Sequence, residues 1–193
     1  MHRRQFLTTL AACAFMRPSL VLARDAHPFA GLINPDTGRV YAPQAGKFTL
    51  AMFMTAQESY PGCGGAFLGI QQTLAVSPWR DQIAPVLVMP KISDQTNGSD
   101  IRNLRRAKSY DPPYTILTGA LPDVVRASEA VEGAFFELNA QGKVNGHTLD
   151  AFLLTPAGNM IFHHRADDYF TLVDLLDRAM RGCRRSLFRP ACL

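Results

Sequence analysis

The sequence predicts one α/β domain, a mixed sheet with helices on both faces. Three observations carry this. Apolar runs of strand length at residues 47–55, 84–92 and 114–119 are continuous rather than alternating, the pattern of strands buried on both faces. Segments with apolar residues at helical spacing separate these runs. Two later strand-like runs meet at the tight turn Pro156-Ala157-Gly158-Asn159, which makes them an antiparallel hairpin. Parallel crossover units followed by a hairpin give a mixed sheet. A chain of 193 residues supports one full core, and its 47% hydrophobic and 19% charged content excludes a disordered or collagen-like protein.

Residues 1–23, "MHRRQFLTTLAACAFMRPSLVLA", stand apart from the domain. A charged start, an apolar stretch at 6–16 and small residues at 21–23 make an export signal with cleavage before Arg24. Arg3-Arg4-Gln5-Phe6-Leu7 has the core of a twin-arginine signal, with His2 where that motif prefers Ser or Thr. The apolar stretch is too short to span a bilayer. Leu10-Ala11-Ala12-Cys13 also has lipobox character, so a membrane anchor follows only if Cys13 is lipidated. The expected location is periplasmic. Removing the signal takes three arginines and no acid, leaving 17 basic residues against 16 acidic ones. Net charge then gives no support to nucleic-acid binding.

Residues 24–46 read as a linker and hairpin, with Pro35-Asp36-Thr37-Gly38 as the turn and His27 in exposed chain. The domain proper spans 47–181. Its first strand, 47–55, leads through Gly64-Gly65 into a helix with Phe67, Ile70 and Leu74 on one face, stopped by Pro78. The strand at 84–92 follows, then a short basic helix at 101–110 capped by Ser99-Asp100. The strand "YTILTG" precedes a helix opened by Pro122. Strands at 134–138, 147–155 and 159–164 come next. A closing helix carries Tyr169, Leu172, Val173, Leu176 and Met180 on one face. Residues 182–193 form a basic tail. This order of elements fits a thioredoxin-like fold.

The chemistry centres on "SYPGCGGAF". Cys63 follows a buried strand and precedes a helix, where unpaired N–H groups and the macrodipole stabilise a thiolate. Gly62, Gly64 and Gly65 leave the backbone around it open. The alternative is a small buried cysteine without chemistry. There is no C-x-x-C, which disfavours a self-contained dithiol oxidoreductase. Ala56 and Tyr60 stand where a peroxiredoxin site needs other residues, and no G-x-S-x-G turn supports a hydrolase. Of the histidines, His163 and His164 end a strand and point to opposite faces, whereas His147 opens one after a loop. In an oxidising compartment, Cys183 and Cys192 are expected to bridge each other across the tail, leaving Cys63 as the odd thiol.

Several segments resemble the Sco/SenC/PrrC family, thioredoxin-fold copper chaperones and thiol proteins of cytochrome oxidase assembly. "GKFTLAMFMT" is similar to the family's strand before the metal loop. "YTILTGALPDVVRASEAVEGAFFEL" resembles its "LTG" strand, the following helix and the aromatic-rich strand. "GHTLDAFLLTPAGNMI" resembles its histidine-bearing strand and turn. The similarity covers about residues 31–177. The family's site is a C-x-x-x-C loop plus a distant histidine. The resemblance implies Cys63 as the second cysteine and His147 as the ligand histidine, with Ser59 in place of the first cysteine.

Two thiolates and an imidazole suit Cu(I), because soft sulfur selects it. With Ser59 one soft ligand becomes a hydroxyl, and the remaining candidates are Cys63, His147 and a neighbour among Met52, Met54 and Glu58. The resemblance thus implies a periplasmic protein that binds or passes copper to a copper-receiving or thiol-bearing protein of a respiratory complex. Two other readings stand beside it. One is a single-thiol redox protein that exchanges with a partner cysteine. The other is a non-catalytic binding module that kept the fold.

Overall fold

The computed structural model of the chain describes residues 27–54, 62–90, 113–131, 136–138, 140, 144–166 and 168–185. Strand β3 (Phe48–Phe53) is an interior strand of a seven-stranded sheet. On one side it pairs in parallel with β4 (Ile83–Pro90), which pairs in parallel with β5 (Thr115–Gly119). On the other side it pairs antiparallel with β8 (Asp150–Leu154), followed by β9 (Met160–Arg165). Two short strands, β1 (Ile33–Asn34) and β2 (Arg39–Val40), complete the sheet beyond β5. The mixed α/β sheet expected from the sequence is therefore observed, and its core strands are buried on both faces.

Alternation along β3 sorts its side chains into two cores. Leu50 and Met52 face the side covered by α1 (Gly62–Val76) and α3 (Tyr169–Arg185), together with Ile70, Leu74, Leu172, Leu176 and Met180. Ala51 and Phe53 face the side covered by α2 (Leu121–Ala130) and by Phe29 and Leu32 of the N-terminal segment. Helix α1 stops at Val76 because Pro78 follows, and the Ser77 hydroxyl receives the Trp79 N–H at 3.1 Å. Helix α2 begins with Pro122 in its first turn, where a missing N–H leaves no bond unmade. The Asp168 carboxylate caps α3 by accepting the Thr171 N–H at 3.3 Å.

Several expectations change. The helix after β3 begins at Gly62, so Cys63 and its neighbouring glycines lie in the first turn rather than in a preceding loop. Residues 136–138 (β6, Phe136–Leu138) pair with β7 (Val144–His147) in a separate two-stranded ribbon. The single strand expected over 147–155 is thus two, broken at Thr148 and Leu149. On α3, Val173 is 42% exposed and does not join the core face, which runs through Leu172, Leu176 and Met180 at four-residue spacing. That helix continues to Arg185. The basic helix expected at 101–110 lies outside the described residues.

The N-terminal segment is the largest correction. His27 is not in exposed chain: it is 8% exposed, with its ring edge-on to Phe29 and Tyr41 at 5.1 and 5.3 Å between centroids. Full burial of Phe29 beside it contributes about 2–3 kcal/mol, enough to hold the segment on the sheet. The β8–β9 turn closes over this corner through Gly158. At φ +89°, a side chain there is strained, and a Cβ would fall 2.6 Å from Pro28 Cδ and 2.9 Å from His27 Cα. His27 Nδ1 accepts the Phe29 N–H at 3.3 Å, and Nε2 is buried with no hydrogen-bond partner among the described residues.

Burial pushes the His27 imidazole down from 6.5 to about 4. The folded chain holds this ring neutral, whereas the unfolded chain protonates it below about pH 6.5. Its stabilising contribution is therefore complete above pH 6.5 and is lost as the pH falls toward 4. Denaturant titrations over this window should show a loss of about 2 kcal/mol, below the full linkage value because the ring keeps some solvent contact. A His27→Gln variant should show a flatter pH profile. An unchanged slope in that variant would assign the acid sensitivity elsewhere.

Candidate functional site

The site is built at the C-terminal edge of β3. Because β3 and β4 run parallel, with Phe48 opposite Ile83, the connecting helix α1 must run back down the sheet. Its first turn, with Cys63, therefore lies at the edge where β3 ends. Buried Ala66, Ile70 and Leu74 define the inward stripe of α1, and position 63 falls on that stripe one turn earlier. The first turn carries no acidic residue, so no carboxylate competes with a thiolate for the positive end of the helix.

His147 reaches the same edge by another route. Strand β8 runs antiparallel to β3 with Ala151 opposite Met52, so the chain before Asp150 extends past the C-terminal end of β3. His147 is the last residue of β7 and stands three positions before Asp150, within about 10 Å of it along the chain. The backbone thus carries two residues 84 positions apart to one end of the sheet, where open α/β sheets place their sites. His147 closes the ribbon strand rather than opening β8. Cys63 and His147 are described through their backbone alone, and Ser59 and Glu58 lie outside the described residues.

The other described histidines, His27, His163 and His164, do not join this edge as a group. His27 belongs to the opposite core face. His163 and His164 point to opposite faces of β9, as expected. His163 stacks on Phe152 at 5.9 Å, and His164 Nε2 lies 3.2 Å from Asp168 Oδ2. The Asp168 carboxyl is held below its ordinary range, first by the Thr171 hydroxyl and N–H, and then by His164. Among the described residues, no three His, Cys, Asp or Glu converge as a metal-binding group, and no helix is long and apolar enough to cross a membrane.

Of the methionines proposed as neighbours, Met52 and Met54 both face α1 and are buried. Met89 joins them from β4, a residue that the sequence reading did not single out. Its signal was present, since position 89 shares its strand face with Leu87.

Neither a family model nor a curated protein matches the sequence. Solved structures do resemble it. ScoI from Arabidopsis thaliana, a structure with copper bound, superposes with a TM-score of 0.56 at 18% identity, covering 78% of this chain and 95% of that one. The chain has a thioredoxin-like α/β fold. A SCO1/SenC family lipoprotein from Bacillus anthracis gives a TM-score of 0.57 at 16% identity, covering 77% and 92%. A putative thioredoxin from Neisseria meningitidis gives 0.51 at 20%, covering 82% and 93%. The likeness of fold therefore extends over most of the chain.

Cys183 lies in the last turn of α3, is half-buried and is disulfide-bonded. Backbone geometry argues against Cys63 as its partner. Helices α1 and α3 start at the same sheet edge and run parallel, and Trp79 Nε1, just past the end of α1, donates to Asp177 Oδ1 at 3.0 Å. Cys183 lies a further turn and a half beyond Asp177. About 20 Å of helix separates Cys63 from the Trp79 end, whereas disulfide-bonded Cα atoms lie within about 7 Å. In a mature chain beginning near Arg24, Cys192 is the expected partner. Alkylation in denaturant without reductant should label Cys63 alone, and peptide mapping should recover a 183–192 cross-link. Recovery of Cys63 in a mixed disulfide peptide would contradict this arrangement.

Proposed function

We propose that the mature chain is an exported, periplasmic Sco-like protein that binds copper, as cargo, and passes it on during assembly of a respiratory oxidase. One observation carries the reading: on a Sco-type fold, the backbone brings Cys63 and His147 to the same edge of the central strand. The donor chemistry fits Cu(I). A thiolate and an imidazole are suitable ligands for it, and the hydroxyl of Ser59 is a poor one. Cys63 would hold the ion, and the start of α1 would keep the sulfur in its thiolate form. His147 would supply nitrogen from the ribbon side. With one cysteine in the loop, an internal disulfide cannot form there. Delivery therefore proceeds by ligand exchange with a partner's soft donors rather than by a dithiol–disulfide cycle.

A second reading is favoured by the likeness to a putative thioredoxin and by the helix-start position of Cys63. In it, Cys63 is a single thiol that exchanges with a partner cysteine and does not need copper.

Anaerobic Cu(I) titration of the chain from Arg24, with a competing chelator, separates the two. One equivalent should bind. Cys63→Ser should weaken binding about hundredfold or more, because loss of a ligand exceeds the roughly 10–100-fold effect of losing an outer-shell contact. His147→Ala should weaken it as well. Stoichiometric binding that survives Cys63→Ser would reject the site. An absence of binding together with a thiol that reacts readily near neutral pH would favour the second reading.

A further inference from the structure

We infer that Met54 and Met89 provide thioether ligands for Cu(I) beneath Cys63, in place of the second thiolate that Ser59 cannot supply. This rests on the copper reading above and specifies its ligand set.

The placement comes from register. Along β3 and its continuation the residues facing α1 are Leu50, Met52 and, just past the strand, Met54, and along β4 they include Ile83, Leu87 and Met89. Aliphatic side chains thus occupy the far end of this face, and thioethers occupy the end toward the site. The parallel pairing of Phe53 with Val88, continued by the Met54 N–H bond to the Val88 carbonyl at 2.9 Å, sets Met54 and Met89 side by side. Adjacent strands place them about 5 Å apart in backbone. Both are buried, at 4% and 1% exposure, in the core that also contains Ala66. Position 63 lies one helical turn before Ala66 on the same stripe, on the side toward the strand ends.

Chemistry explains why sulfur belongs there. A thioether is soft, carries no proton and remains a donor at any pH, and together with a thiolate it favours Cu(I) over harder ions. Methionine has three rotatable bonds, so its sulfur can turn toward an ion without strand movement. Packing alone does not require sulfur at both positions, since leucine fills such sites at similar volume. Met52, one pleat deeper, serves the core.

The test uses the chain from Arg24 labelled with selenomethionine and loaded anaerobically with one equivalent of Cu(I). X-ray absorption at the copper edge should show selenium in the copper shell. That signal should fall in Met54→Leu and Met89→Leu and vanish in the double variant. Each single variant should lose about tenfold in Cu(I) affinity, with the thermal midpoint within a few degrees of the parent. Copper bound through Cys63 with no selenium neighbour, or a double variant with parental affinity, would overturn this inference and leave the copper reading standing. A chain that takes up no Cu(I), or whose uptake ignores Cys63→Ser, would overturn both.

Discussion

Strand β3 is the constraint on which the rest of the molecule depends. Its backbone is bonded on both sides, to β4 in parallel and to β8 antiparallel, and its side chains are buried on both faces. A one-residue slip would exchange Leu50 and Met52 with Ala51 and Phe53 between two differently shaped cores, so the register is strongly specified. Fixing β3 also fixes the direction of α1 and the level at which β8 begins. These two consequences bring residue 63 and residue 147 to one end of the sheet. The candidate site is thus a product of strand pairing, not of any local motif.

The two cores differ in how they are closed. One face is covered by α1 and α3, tied to each other by Trp79 and Asp177. The other is covered by α2 and by a segment with little regular structure, whose Phe29 and Leu32 substitute for a helix. That substitution places an imidazole in a nearly dry corner with one nitrogen unsatisfied among the described residues, a cost tolerated because Phe29, Tyr41 and the Gly158 turn enclose it. The His27 corner and the candidate site at the β3 edge are therefore located in separate parts of the fold. The outward side of α3, with its Asp174–Arg178 and Asp177–Arg181 pairs, is solvated and contributes little to either.

In the proposed copper site, the donor set would account for a loop with one cysteine rather than a pair. A loop with one cysteine loses the redox cycle that a pair allows, because an internal disulfide has no second sulfur. It does not lose softness if thioethers lie within reach, and Met54, just past β3, and Met89, near the end of β4, lie on the face beneath α1. Such a site would hold copper without being switched by the redox state of its own thiols.

Much of this was legible in the sequence, for a physical reason. Continuous apolar runs can be satisfied only by strands buried on both faces, so residues 47–55 and 84–92 announced β3 and β4. Pro78, Pro122 and Gly158 marked their ends and turns because each permits few backbone conformations. Cys63 at a helix start followed from the same local rules. Tertiary structure decided what no window of sequence contains. It moved His147 to the end of a separate ribbon, because ribbon pairing competes with extension of β8 for the same backbone groups. It buried His27, whose polar character suggested exposure, because neighbouring Phe29 is fixed in a distant core. It also set Met89 beside Met54, since adjacency across parallel strands depends on register, and register is determined only when both faces of the sheet are packed.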